Sequence, residues 1–273
     1  MSKSLRDVIG SFKYDQDEVA KPKSVSAAKI VKTSPKKRKP ASPTKHAKSH
    51  ENLKDLPPSI RPGLTIVFVG FNPGVESSRQ QHHYAHPTNL FWKLFNQLDL
   101  LSAVLDFRNT DVACHRALLD EVYTNGNLQA RPEHDFALIE LGVGFTDLVL
   151  RCTKQALELS LLEKAQNIPR LLGEFNASNA PFVVFVGKGI WEVVCKYLVP
   201  GHKLTAANFM WGLQSDPVVM LRFYSFCGYR PRVYVSPNTS GLVALMKYPE
   251  KLALWDQLVK DMQDPHQEST SEI

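Results

Sequence analysis

Paired cysteines and long apolar runs are missing from this chain. It has four cysteines with no Cys-x-x-Cys pair among them: Cys114, Cys152, Cys195 and Cys227. This spacing argues against a structural zinc site, a redox pair or a clustered iron–sulfur centre, and it is typical of reduced thiols. Apolar runs such as 66–69 and 181–186 are far shorter than the ~20 residues of a membrane-spanning helix. Because residues 1–10 also lack the apolar core of a signal peptide, we expect neither membrane insertion nor secretion.

Positive charge is concentrated at one end of the chain. Residues 1–60 contain 14 Lys and Arg against 6 Asp and Glu, whereas residues 61–273 contain 19 against 21. Large apolar side chains are scarce from Lys21 to His50, so this stretch cannot bury enough surface to offset its ordering entropy. We therefore predict a disordered basic arm over 1–60, a globular body over 61–263 and a polar tail over 264–273.

The densest basic cluster of the arm lies between two prolines and consists of Lys36, Lys37, Arg38 and Lys39. Such clusters are typical of nuclear-import signals and of contacts to DNA phosphates. We expect these four side chains to contact phosphates and the protein to be nuclear. A solvated linker is the simpler alternative.

Strand and helix patterns alternate along the body. Apolar runs of the kind found in buried strands occupy 64–69, 182–186 and 233–235. Helical patterns follow them at about 87–98, 190–198 and 249–262. This order predicts a single three-layer α/β/α domain with a central, largely parallel sheet. Ligands bind outside the carboxyl ends of the strands in such sheets. Segments 109–135 and 205–232 have no clean hydrophobic period, and no secondary structure is assigned to them.

The first of these strands leads into the loop Gly70-Phe71-Asn72-Pro73-Gly74. It matches neither the phosphate-binding Gly-x4-Gly-Lys-Ser/Thr pattern nor the dinucleotide fingerprint Gly-x-Gly-x-x-Gly. The two glycines allow a ligand to approach the backbone closely, and Pro73 stiffens the turn. Asn72 either positions a water or substrate there or caps the turn, and the loop alone leaves both readings open.

Three histidines and a tyrosine follow in the stretch His82-His83-Tyr84-Ala85-His86. No Asp, Glu or Cys stands nearby at metal-ligand spacing, so we expect structural turn histidines and no metal. An aromatic side chain at the mouth of a pocket suits stacking on a planar ligand such as a nucleobase.

With these residues in view, the sequence resembles the mismatch-specific uracil/thymine DNA glycosylases, within the uracil-DNA glycosylase superfamily. The resemblance covers about residues 62–262 and keeps the order of the family's blocks. The blocks are the Asn72 loop, Tyr84–Lys93, Val143–Val149, Phe185–Lys188, Trp211–Gln214 and Pro237–Leu242.

The resemblance implies a role for each matching position. Asn72 would hold the water that attacks the deoxyribose C1′, and Tyr84 would stack on the flipped base. Gly70, Phe71 and Ser77 would line the base pocket, with the backbone around Phe71 and Tyr84 contacting the edge of the base. The loop with Asn238, Ser240, Gly241, Leu242 and Val243 would replace the extruded nucleotide. Leu242 would be the inserted side chain, and Gly241 and Val243 would face the orphaned guanine. The sequence departs from one branch of the family at Ala244, where that branch has Arg.

The implied activity is that of a monofunctional glycosylase in base excision repair. It would remove uracil or thymine mispaired with guanine in double-stranded DNA and leave an abasic site, as a monomer without metal or organic cofactor. Because Asn72 is neutral, the chemistry would depend on departure of the base more than on a strong general base. Two alternatives stay open: a non-catalytic DNA-binding or chromatin protein on the same fold, and a glycosylase of the superfamily that acts on another damaged base.

Overall fold

A computed structural model describes residues 53–241 and 246–264. The basic cluster Lys36–Lys39 and the residues Leu242–Ala244 lie outside the described residues, as does nearly all of the predicted arm. The last residues of the predicted arm, 53–60, are among the described residues and contact the body. Leu56 is buried, and Ser59 forms an antiparallel bridge with Phe145. The apolar Leu56 side chain and the backbone pairing of Ser59 explain why this short segment is ordered. The division into arm, body and tail stays a prediction.

The described residues form a central five-stranded sheet with the strand order β4-β1-β5-β7-β6 and a separate two-stranded hairpin. Neighbours among β4, β1, β5 and β7 pair in parallel, and β6 is an antiparallel edge strand. The strands are β1 Ile66–Gly70, β2 Tyr123–Thr124, β3 Asn127–Leu128, β4 Val143–Asp147, β5 Phe182–Val186, β6 Gly212–Leu213 and β7 Arg232–Ser236.

Helices cover both faces of this sheet. The α-helices in the described ranges are α1 Val75–Gln80, α2 Phe91–Gln97, α3 Leu100–Arg108, α4 Arg116–Val122, α5 Leu161–Ser178, α6 Lys188–Leu198, α7 Pro217–Cys227 and α8 Tyr248–Gln263. Short 3-10 helices occupy Val112–His115, Pro132–His134, Leu138–Leu141 and Ala156–Glu158.

Alternating side chains of the strands build two separate apolar cores. In β1, Val67 and Val69 pack with α5, α6 and α7, whereas Ile66 and Phe68 pack with α2, α3 and α8. Every residue of β1 and β5 is buried, which explains why both strands are continuous apolar runs. The predicted three-layer α/β/α architecture with a largely parallel sheet is confirmed.

The two unassigned segments contain regular structure that local periodicity did not reveal. Segment 109–135 includes α4 and the β2–β3 hairpin, whose two-residue turn is Asn125-Gly126. Segment 205–232 includes β6 and α7, and Asp216 caps α7 through its side chain. Within 53–241 and 246–264 no helix combines the length and the apolar character needed to cross a membrane.

Candidate active site

The Asn72 loop begins where β1 ends, at the carboxyl edge of the parallel strands. Residues after β4 run alongside this loop and extend the pairing beyond the sheet. Leu148 donates its backbone N–H to the Gly70 carbonyl at 2.8 Å, and Thr153 donates to the Pro73 carbonyl at 3.1 Å. The backbone on both sides of Asn72 is therefore fixed by a neighbouring segment.

The Asn72 amide is held by its nitrogen. Nδ2 donates to Thr153 Oγ1 at 2.7 Å, to the Arg151 carbonyl at 3.1 Å and to the Pro73 carbonyl at 3.3 Å. Since the Thr153 hydroxyl donates its own hydrogen to the Gln155 carbonyl at 2.9 Å, it must accept from Asn72. Oδ1 of Asn72 has no hydrogen-bond partner in the described part of the chain. The half-buried side chain thus presents a free acceptor with a fixed orientation.

Tyr84 forms a wall close to the end of β1. Its ring stacks on Phe91 with 4.0 Å between the ring centroids and an interplanar angle of 2°, so only the opposite face of the ring remains for stacking on a ligand. A β-carbon on Gly70 would lie 3.4 Å from the Tyr84 hydroxyl oxygen. Burial, with a smaller contribution from the negative charge of Asp147, raises the pKa of Tyr84 well above its usual value. The hydroxyl is buried without a partner among the described residues.

Two further pocket positions differ in where their side chains lie. The buried Ser77 accepts a hydrogen bond at its Oγ from the Ala85 backbone N–H at 3.4 Å, next to Tyr84. The Phe71 side chain packs with the core on the opposite face of the sheet from Tyr84. A contact of Phe71 with a ligand beside Tyr84 would therefore have to come from its backbone.

The adjacent histidines His82 and His83 share one carboxylate, that of Asp135. Their Nδ1 atoms lie 2.8 Å and 2.7 Å from the two Asp135 oxygens, and the His83 backbone N–H also donates at 2.7 Å. Burial opposes ionisation of the Asp135 carboxyl and so tends to raise its pKa. The hydrogen bonds and the charge of His83, together with a hydrogen bond from His82, outweigh burial and hold the pKa of Asp135 below its usual value. These contacts fix the turn that carries Tyr84. Within 53–241 and 246–264, no group of three or more His, Cys, Asp or Glu is arranged to hold a metal ion.

The loop after β7 packs against the segment that leads from Tyr84 to α2. The Leu90 N–H donates to the Thr239 carbonyl at 2.8 Å. A β-carbon on Gly241 would lie 2.7 Å from the Thr88 carbonyl oxygen, so a larger residue would push these two segments apart.

Asn238 orders this loop from within. Its Oδ1 accepts from the Ser240 N–H at 2.8 Å, and its carbonyl accepts from Nζ of the buried Lys251 at 2.6 Å. Two predicted members of the loop, Leu242 and Val243, lie outside the described residues. The described part of the loop contacts the Tyr84–Lys93 block, and a shared ligand stays a prediction.

Two residues at this edge were not singled out from the sequence, Thr153 and Asp147. Asp147 ends β4 directly opposite Gly70 and is 6% exposed. Burial raises the pKa of Asp147 to about 6; the charges of His83 and Arg170 lower it, and that of Glu174 raises it. The sequence signal for Asp147 was its place in the Val143–Val149 block, and Thr153 lies shortly after that block; neither position reveals which loop the residue meets.

The chain is similar to known proteins. The profile of the uracil DNA glycosylase superfamily matches residues 57–262. A "G/U mismatch-specific uracil DNA glycosylase" of Schizosaccharomyces pombe is 29% identical over 242 residues, which cover 88% of this chain and 61% of that protein. The chain thus spans about three fifths of the length of this relative. A solution NMR structure of a uracil DNA glycosylase candidate from Methanosarcina acetivorans matches with 17% identity and a TM-score of 0.42, over 77% of this chain and 98% of that one. Because the superfamily profile extends over most of the sequence and spans every element of the central sheet, the chain belongs to the uracil DNA glycosylase superfamily.

Proposed function

We propose that this protein is a monofunctional DNA glycosylase that hydrolyses the N-glycosidic bond of uracil, and also of thymine, mispaired with guanine. The observation that carries this proposal is the Asn72 amide, whose nitrogen is bound by three acceptors while its oxygen is free at the carboxyl edge of the sheet. The name of the Schizosaccharomyces pombe relative supports G·U as the substrate. Thymine opposite guanine is inferred from the family resemblance.

The residues suggest how the reaction would proceed. The C1′–N1 bond breaks with its electron pair moving to the base, which leaves as an anion. Asn72 Oδ1 accepts a hydrogen bond from a water, whose oxygen then bonds to the oxocarbenium-like C1′, and the water's surplus proton passes to solvent or to the departing base. A neutral amide is a weak base, so its contribution is positioning of the water.

Access to the base requires extrusion from the duplex, which costs a few kcal/mol of unstacking and unpairing. We infer that Leu242 fills the space left by the extruded nucleotide, with Gly241 and Val243 against the orphaned guanine. The cluster Lys36–Lys39 would contact phosphates and direct the protein to the nucleus. The protein would act as a monomer on double-stranded DNA without metal or organic cofactor.

The proposal is tested by single-turnover base release from duplexes with G·U, G·T or an alkylated base opposite its partner, and from single-stranded uracil. We expect release from G·U and G·T. If only another damaged base is released, that base would be the substrate in place of uracil and thymine. Binding without any release would support the non-catalytic alternative.

Asn72→Ala provides the matched control in the same assay. It removes the water's acceptor but leaves the pocket, so we expect binding to a G·U duplex to survive and base release to fall by ~10² or more. If Asn72 only caps the turn, Ala would instead lower stability by ~1 kcal/mol with little effect on rate. Near-normal release together with a lowered melting temperature would therefore refute the catalytic assignment.

A further inference from the structure

The helix α7 is apolar on every side, including the side that faces solvent. Its 11 residues include one charged residue, Arg222. The inward side packs into the core formed with β1 and β5. On the outward side three large apolar side chains stay exposed, with exposed fractions of 56%, 66% and 53% for Val218, Leu221 and Phe226. A helix that is apolar all round is normally covered all round, and an exposed apolar patch on a surface helix marks a binding surface.

Two arginines lie beside these three exposed side chains, which we call the α7 face. Arg222 is exposed and lies one turn after Val218. Arg230 follows the helix, and its guanidinium lies 5.8 Å from the centre of the Tyr224 ring. Neither guanidinium forms an ion pair within 53–241 and 246–264. A partner that combines an apolar stripe with neighbouring acidic groups would complement this face in both respects.

The first residues of the chain itself carry this combination. Between Leu5 and Phe12, four apolar residues recur at the spacing of one side of a helix, and three acidic residues follow within Asp15–Glu18. No other stretch of residues 1–52 has four large apolar side chains at this spacing. A helix of two turns is unstable alone in water, so this stripe needs a surface that buries it. Its members are Leu5, Val8, Ile9 and Phe12.

The intervening chain is long enough to bring the stripe to α7. Residues 13–52 separate Phe12 from Leu53, the first residue that the structure describes. A chain of about 40 residues without regular structure has a root-mean-square span of about 35 Å. Ser59 pairs with β4 at one edge of the sheet, whereas α7 joins β6 and β7 at the other. Because five neighbouring strands place these edges only ~20 Å apart, the stripe can reach α7 of its own molecule.

We propose that residues 5–12 bind the α7 face of the same chain as a short amphipathic helix, with Asp15–Glu18 close to Arg222 and Arg230. Both ends of the basic stretch from Lys21 to His50 are then attached to the body, so the stretch forms a closed loop and not a free tail. An intramolecular partner has an effective concentration on the order of 1 mM, so a dissociation constant of ~0.1 mM suffices to occupy the face about 90% of the time. This inference does not depend on the proposed function.

Photo-crosslinking in the full chain tests this placement. A benzoylphenylalanine in place of Phe12 should crosslink to α7 of the same chain, whereas one in place of Asp7, on the opposite side of the proposed helix, should not. Leu221→Lys would bury a charge under the stripe and should lower the yield of the Phe12 crosslink ~10-fold. The matched control Leu157→Lys changes a leucine that is 90% exposed elsewhere on the body and should leave the yield unchanged.

Hydrogen exchange of the α7 amides provides a second readout without a crosslinker. A face that is occupied about 90% of the time protects its helix ~10-fold. The α7 amides should therefore exchange ~10-fold faster in full-length Phe12→Ser than in wild type, and Asp7→Ser should exchange like wild type.

Several outcomes would overturn the proposal. Crosslinks from position 12 that fall elsewhere on the body, the absence of any crosslink, or a yield that Leu221→Lys leaves unchanged would each contradict it. Crosslinks between two chains that increase with protein concentration would make a second copy the occupant of the α7 face. Equal α7 exchange rates in wild type and Phe12→Ser would show that residues 5–12 do not cover this helix.

Discussion

Replacement of Thr153 tests whether the orientation of Asn72 matters for catalysis. Thr153 Oγ1 is the nearest of the three acceptors around Asn72 Nδ2, at 2.7 Å, against 3.1 Å and 3.3 Å for the carbonyls of Arg151 and Pro73. Thr153→Val keeps the shape of this buried side chain but removes both its acceptor and the hydrogen that it donates to Gln155. The amide is then held only by the two longer contacts.

The size of the effect follows from the lost hydrogen bond. A net contribution of about 1–1.5 kcal/mol per hydrogen bond corresponds to a roughly 10-fold change in rate if it orients Asn72 in the transition state. We therefore expect base release by Thr153→Val to slow by ~10-fold or more while affinity for the duplex stays unchanged. Thr153→Ser retains the hydroxyl and should keep a rate within a few-fold of wild type.

The assay is single-turnover release from a G·U duplex at saturating enzyme, with the melting temperature and duplex affinity measured on the same samples. The Gln155 carbonyl loses a donor in the Val variant, so a stability loss of ~1 kcal/mol is expected whatever the role of Asn72. A Val variant that releases base within twofold of wild type would refute the positioning role. Equal losses for Val and Ser would refute it as well, because only Val removes the hydroxyl.

Three further predictions concern the surfaces that would meet DNA. Leu242→Ala should slow release from a fully paired duplex around G·U far more than from a site flanked by mismatches, because the inserted side chain assists extrusion; equal losses would argue against insertion. Replacing Lys36–Lys39 with Ala should make the slope of log K against log salt shallower by ~0.9 per lost phosphate contact, and an unchanged slope would leave the cluster a linker or import signal. Lys251→Met leaves the Asn238 carbonyl without its donor at the start of the loop after β7. Duplex release should therefore drop while release from single-stranded uracil is retained, and parallel losses on both substrates would contradict this.

The sequence by itself determined the buried strands and their loops. Continuous apolar runs at β1, β5 and β7 are required when both faces of a strand are covered by helices, and they can be read without knowing what covers them. The same reading placed the Asn72 loop and the loop after β7 at one edge of a parallel sheet. The architecture and the position of Asn72 could therefore be predicted from local sequence patterns.

Two of the longer helices received no assignment from the sequence, for different reasons. The buried residues of α5 recur at helical spacing, at Ala165, Ile168, Leu171, Leu172 and Phe175, but Pro169 in its interior disfavours helix formation. The helix α7 follows a segment of mixed aromatic and turn residues, and packing against the core formed by β1 and β5 stabilises it.

Only the tertiary structure decided which side chains meet at the site. Thr153 reaches Asn72 across 81 positions, and Asp135 reaches His83 across 52. Asp147 lies over Gly70 because β4 pairs with β1 in that register and no other. Contacts of this kind are set by strand order and register, which depend on how the whole chain packs, so residues far apart in sequence become one site only once the sheet has formed.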